Sequence, residues 1–209
     1  MPLLTDVFAM LGIGLVLCAG FVRLLSLGRA ANLSASNGAK WLVLAIFVAL
    51  CVPGVGAILP VVAYVRGISS DLSITLVALC FWSLCHRSYG LAAISQREQT
   101  AVMLAVAGAA LFMYPLALGW GPWDAYRLGW GHVQGAWGMW LSLLSLCLVC
   151  WVKKWHALPA LIALALLAWC LGFMESGNLW DYLLDPWLSV FALGFVFIKY
   201  LRVFFRRLH

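Results

Sequence analysis

The sequence predicts an all-α polytopic integral membrane protein. Seven transmembrane helices form a single membrane domain over residues 1–209, with the N-terminus outside and the C-terminus cytoplasmic. Two observations predict this. Seven hydrophobic stretches can be marked, at 7–22, 44–65, 68–85, 101–118, 136–152, 157–174 and 187–201, and every second gap between them is basic. The gaps after the first, third and fifth stretches, with the C-terminal tail, hold Arg23, Arg29, Lys40, Arg87, Arg97, Lys153, Lys154, Lys199, Arg202, Arg206 and Arg207. The opposite gaps hold only Arg66 and Arg127. Lys and Arg in short loops stay on the cytoplasmic side, so eleven of thirteen basic residues favour one orientation. The acids sort the other way. Asp6, Asp71, Asp124, Glu175, Asp181 and Asp185 fall outside, and Glu98 alone falls inside.

Composition agrees. The chain is 66% hydrophobic and 10% charged, against about 25% charged in soluble domains. A span takes about 20 apolar residues, so seven of them leave no room for a soluble domain. A net charge of +6 in a soluble protein would suggest nucleic acid. Here the charge is confined to one side, which reads as orientation and contact with anionic membrane lipid, and nucleic-acid binding is not expected. Residues 1–6 carry no basic n-region and do not read as a cleavable signal peptide.

Each stretch has its own character. The first contains Gly12, Gly14 and Gly20, and the fourth Ala101, Ala105 and Ala109; small residues on one face let helices approach closely in lipid. The second holds Pro53, Gly54, Gly56 and Pro60 within eight residues, which predicts a kink or local unwinding. Such breaks at mid-membrane depth point to transporter sites when the other half of the chain carries a matching one. Here only Pro115, near a helix end, recurs later, and a simple kink is expected. The third stretch is short and closes on His86 and Arg87. The fifth and sixth are joined by a tight Lys153-Lys154-Trp155-His156 turn, with Pro159 opening the sixth. The seventh starts at Asp185-Pro186, an N-cap followed by proline. Asp71 caps the third helix and Thr5 or Asp6 the first, where negative charge meets the positive dipole end.

Conventional chemical signatures are missing. The seven cysteines all lie in apolar stretches, and none is in an outer loop where a disulfide framework would sit. Cys147 and Cys150 spell a CxxC near the inner end of the fifth helix, where small packing side chains are expected rather than a redox pair. His86 and His156 sit at the surface beside Arg87 and Lys154, so a bis-histidine haem is not expected. Lys199, at the inner end of the last stretch, is not placed to carry a retinal-type chromophore. No metal-ligand spacing is present, and neither a metal nor a cofactor is expected.

The two longest outer gaps carry the candidate site. One runs from Gly119 to His132 and the other from Glu175 to Trp187; together they hold five of the twelve tryptophans. Trp123, Asp124, Tyr126, Arg127, Glu175, Asn178, Trp180 and Asp181 are the candidate binding residues. Aromatic faces, carboxylates and an arginine suit a sugar or phosphosugar headgroup, since rings stack on the sugar, acids accept its hydroxyls and arginine takes phosphate. The structural reading of the same residues is an Arg127–acid pair tying the loops together. Glu175 and Asp124 each follow a helix C-terminal end, where a carboxylate is disfavoured, and Arg127 is the nearest cation. Two carboxylates can also do acid–base work, though no nucleophile stands out.

Function follows as an expectation. The sequence favours a non-catalytic inner-membrane component of bacterial envelope biogenesis, handling a lipid-linked or glycan headgroup on its outer face. It would work with a partner subunit carrying the catalytic domain. The bacterial plasma-membrane assignment rests on compactness, short loops and the lack of targeting segments. The alternatives are a small transporter or flippase moving at Pro53–Pro60, and an intramembrane enzyme using Asp124, Glu175 and Asp181.

Overall fold

The computed structural model describes residues 2–28, 37–131 and 137–208; Arg29, His132 and His209 lie outside the described residues. Nine α-helices and one 3-10 helix are found there, with no strand. They are α1 (Pro2–Gly28), α2 (Asn37–Cys51), α3 (Val61–Ser69), α4 (Ile74–Tyr89), α5 (Gln96–Ala117), α6 (Trp137–Val152), α7 (Ala157–Cys170), α8 (Leu179–Leu183) and α9 (Pro186–Leu208), with the 3-10 helix at Ala125–Gly129. Three are long and apolar enough to cross a membrane, over Leu4–Ser26, Gln96–Ala117 and Pro186–Arg206, and α2, α6 and α7 are shorter apolar helices. The chain forms two compact units, Met1–Ala93 with Leu171–Glu175, and Ile94–Cys170 with Ser176–His209.

In the first unit α1 packs against α2, α3 and α4. Ile13, Cys18 and Val22 of α1 share a buried core with Leu50, Val62 and Leu84. The first-stretch glycines divide by role. A Cβ on Gly12 would lie 3.1 Å from Val77, and one on Gly14 would lie 3.0 Å from both Cys51 and Phe47. These two set the approach of α4 and α2, whereas Gly20 faces open space.

The second stretch, 44–65, is not one kinked helix. It is interrupted completely from Val52 to Pro60, giving α2 and the nine-residue α3. Pro53 supplies no N–H and crowds the preceding turn, Gly56 takes a positive φ of 81°, and Pro60 is extended at the start of α3. One proline bends a helix; two prolines with a left-handed glycine between them leave nothing helical to bend. The break has a definite level. Cys18 Sγ donates to the Val43 carbonyl at 3.4 Å, and Gly14 faces Phe47 and Cys51. Beyond the break, Val62 joins the core around Ile13, and Arg66 of α3 reaches Asp6. Thus α2 and α3 follow one another along α1, and the break lies beside Ile13 and Gly14, about 12 Å along α1 from Asp6. Between Pro53 and Pro60 the described backbone–backbone hydrogen bonding is a single turn, Ala57 N–H to the Gly54 carbonyl at 3.0 Å. Val52, Val55, Ile58 and Leu59 are exposed there.

The third helix also starts later than the stretch 68–85, because Ile68 and Ser69 still belong to α3. Its N-cap is Ser73, whose Oγ accepts from Leu76 N–H at 3.2 Å. Asp71 is therefore not the cap. Asp6 is not a cap either, since α1 already begins at Pro2. Gly90 closes α4 in the left-handed conformation, donating to the His86 carbonyl at 3.1 Å.

In the second unit α5 packs against α9 and α7, and α6 against α7. The buried face of α5 is Val102, Met103, Val106, Ala107, Ala110 and Met113; Ala101, Ala105 and Ala109 sit half-buried at its margin. Ser95 caps α5 reciprocally with Glu98, its Oγ accepting Glu98 N–H at 3.3 Å. The Glu98 carboxylate also accepts His156 N–H at 2.7 Å and Ala157 N–H at 3.3 Å, placing negative charge at the start of α7. Asp185 caps α9 as expected, its Oδ1 accepting Leu188 N–H at 2.8 Å with Pro186 as first residue. None of the seven cysteines forms a disulfide.

Candidate functional site

The connections α5–α6 and α7–α9 meet within the second unit. The chain leaves α5 through Gly119, φ 87°, and forms the 3-10 helix because Asp124 turns back and accepts Tyr126 N–H at 2.9 Å. The opposing segment folds the same way. Asn178 Oδ1 accepts Trp180 N–H at 2.9 Å, which starts the one-turn α8. Three side chains then join the segments. Tyr126 Oη donates to Asp181 Oδ2 at 2.7 Å, Asn178 Nδ2 donates to the Tyr126 carbonyl at 2.9 Å, and Trp180 Nε1 donates to the Ala125 carbonyl at 3.1 Å. Ser176 Oγ donates to the same Asp181 oxygen.

These contacts sort the candidates. Asn178 is 0% exposed with its amide committed, and Trp180 is buried. Tyr126 and Asp181 satisfy each other, and burial followed by the hydrogen bond to Asp181 pushes the Tyr126 phenol up to about 12. Tyr126 is a proton holder in this arrangement, not a base. Trp123 and Arg127 are exposed beside the junction, with Trp123 edge-on to Phe112 at 5.9 Å.

Arg127 does not pair with Asp124 or Glu175. The three ion pairs among the described residues all belong to Arg66. Asp124 is turned onto the Tyr126 backbone, and Glu175, in the first unit, is held by Arg66 Nη2 at 2.9 Å. Arg66 Nε binds Asp71 Oδ1 at 2.9 Å, and Nη1 binds Asp6 Oδ1. One guanidinium therefore joins α1, the turn before α4 and the segment Leu171–Glu175, to which the stacked rings of Phe8 and Phe173, 4.3 Å apart, add an apolar contact. The hydrogen bond to Asp6 raises the Arg66 pKa, partial burial opposes it, and Asp71 adds to the rise.

Sequence reasoning missed Arg66, Ser176 and Gly129. A signal existed for Arg66: it was one of two basic residues among six acids and lay five residues before Asp71. Gly129 carries no side chain to announce itself. It is buried, and a Cβ there would run into Asn178 and the Trp180 ring, so the two segments close only over glycine.

Chemically, the junction presents an exposed indole and an exposed guanidinium on a rigid base, while most of its acids are already engaged. No set of three His, Cys, Asp or Glu side chains among the described residues could hold a metal ion. Comparison of the chain with protein-family models, with curated proteins and with solved structures finds no match.

Proposed function

We propose that the protein is a multi-pass component of a bacterial inner membrane, with seven spans, the N-terminus outside and the C-terminus cytoplasmic. In this reading it recognises a phosphorylated, lipid-linked sugar headgroup on its outer face without catalysing a reaction, alongside a partner enzyme subunit. The topology is supported by how polar contacts sort within each unit. In the first, Arg66 gathers three acids that the charge rule assigns outside, while Lys40 lies over the Tyr89 ring and Arg87 donates to Ser26 Oγ on the side assigned inside. In the second, Tyr126 meets Asp181 on the outer side, and Glu98 meets the backbone of His156 on the inner side.

The observation that carries the headgroup reading is the contrast between the two outer arginines. Arg66 is saturated by carboxylates, whereas Arg127 is exposed, makes none of the ion pairs and stands on a braced loop with exposed Trp123. A guanidinium left over from structural pairing suits phosphate, and a nearby indole suits a sugar face. The test is thermal-shift titration of the purified protein with a polyprenyl-linked sugar phosphate. The expectation is a stabilising shift in the wild type that Arg127→Ala and Trp123→Ala lose while keeping the unliganded midpoint. No shift in the wild type, or an undiminished one in both variants, would refute it.

The transporter alternative gains one specific support, the break between α2 and α3 beside the middle of α1, since irregular backbone at that depth ordinarily lines a cavity or a protein contact. The enzyme alternative gains nothing, because Asp124, Asp181 and Glu175 are each engaged in the contacts above.

A further inference from the structure

We infer that the C-terminal end of α9 is an anionic-lipid binding element of the cytoplasmic leaflet, an inference that rests on the multi-pass reading. Lys199 Nζ donates to Thr100 Oγ1, which fixes the level of Lys199 near the first turn of α5. From Thr100, α5 extends only about 6 Å further, whereas α9 continues from Lys199 for about 14 Å to Leu208. The end of α9 therefore runs past its packing partner, and every residue from Leu201 to Arg206 is exposed.

The helix projects two different faces there. Lys199, Arg202 and Arg206, spaced three and four apart, form one basic stripe. Phe197, Tyr200, Leu201, Phe204 and Phe205 spread over the rest of the circumference, and all are exposed. Plain water would leave three phenylalanines unburied, and plain hydrocarbon would leave arginines without counter-charge. A leaflet boundary rich in anionic phosphate meets both needs, with rings in the acyl region and guanidiniums at the phosphates. No described carboxylate pairs with this stripe, since all three ion pairs belong to Arg66. The charge must be answered from outside the chain, and charge complementarity selects phosphate-bearing lipid.

The test uses the full-length protein in vesicles of phosphatidylcholine alone and of phosphatidylcholine mixed with phosphatidylglycerol. Native mass spectrometry then reads which lipid remains bound on release. The expected result is strong enrichment of phosphatidylglycerol, reduced about thirty-fold in the double variant Arg202→Gln/Arg206→Gln, as two basic side chains at a membrane surface imply. High salt should reduce it likewise. Phe204→Ser/Phe205→Ser, which keeps the stripe, should retain the preference but expose Arg202 and Arg206 to trypsin. Equal retention of both lipids by the wild type, or unchanged enrichment in the arginine variant, overturns the inference, and the first of these is the outcome if the face serves a partner protein instead. Failure to float with vesicles of either composition would instead overturn the membrane reading on which it rests.

Discussion

Arg66 and Arg127 carry the same charge, yet their surroundings give them opposite energetic roles. Arg66 and Asp71 are 21% and 16% exposed, so their pair lies between a screened surface bridge of about 0–1 kcal/mol and a desolvated one costing about 3–5 kcal/mol when broken on one side. Glu175 is 66% exposed and contributes at the weak end. Arg66→Ala should therefore lower stability by roughly 1–3 kcal/mol, with Asp71→Asn the most damaging of the acid variants and Glu175→Gln the least. Arg127→Ala should stay within about 0.5 kcal/mol. Thermal unfolding in detergent checks the ranking, and a destabilised Arg127→Ala with a silent Arg66→Ala would reverse the assignment. Tyr126 adds a pH-dependent contribution. Its pKa is raised by burial and by the Asp181 hydrogen bond to about 12, above an unfolded value of about 10. Its stabilisation is fully present below pH about 10 and disappears as the pH rises through about 12. The ultraviolet tyrosinate difference between wild type and Tyr126→Phe should appear near the upper value; appearance near the lower would show that the phenol does not hold its proton for Asp181.

At the scale of elements, the segment Val52–Pro60 carries most of what is unusual here. Gly54, Val55, Gly56, Ile58 and Leu59 donate to no backbone carbonyl among the described residues, although the break sits beside the core of its own unit. Hydrogen exchange in detergent should find these amides fast and those of Ile46–Leu50 slow. Pro53→Ala/Pro60→Ala should not by itself restore a helix, because Gly54 and Gly56 remain, each costing about 1 kcal/mol in a helix interior relative to alanine. Protection of 54–59 that appears in bilayers but not in detergent would show that the bilayer shields the break from water; equally slow exchange in both would contradict the exposed backbone. Proline and glycine spelling made the interruption legible in the sequence, but not its extent. A kink and a nine-residue gap begin with the same residues, and only packing on α1 sets where α3 resumes. Asp185-Pro186 was legible because a cap is a local device. Arg66 was legible only through its neighbour Asp71, since its other partners Asp6 and Glu175 are 60 and 109 residues away.

For the whole molecule, the proposed seven crossings rest on how the shorter helices combine. Three helices meet the length and apolarity of a span outright, and α2, α6 and α7 fall short of 18 residues. The seven-span reading therefore depends on α2 and α3 acting together as one interrupted crossing and on α4, 16 residues long, acting as another. Both conditions find support in the same ion-pair centre. Arg66 ends the α3 side of the interrupted span and Asp71 precedes α4, so their pair holds the two ends at one level, together with Asp6 of α1. At the other end Lys40 of α2 meets Tyr89 of α4, and Arg87 of α4 meets Ser26 of α1. Three helical paths joined at both ends run over the same length, whatever their individual helix lengths, and this supports the proposal that each is a crossing. Reporter fusions after Lys154 and at His209 should then report cytoplasm, and fusions at Gly129 and Gly177 the outside. If α4 failed to span, the Lys154 and His209 reporters would fall on the side opposite Lys40, and a fusion at Lys40 compared with one at Lys154 would expose the disagreement. Agreement of all three cytoplasmic reporters requires an even number of crossings between each pair. That in turn means that α4 and the interrupted α2–α3 path either both cross or both fail to, and an outside signal from a fusion at Ser70 selects the first.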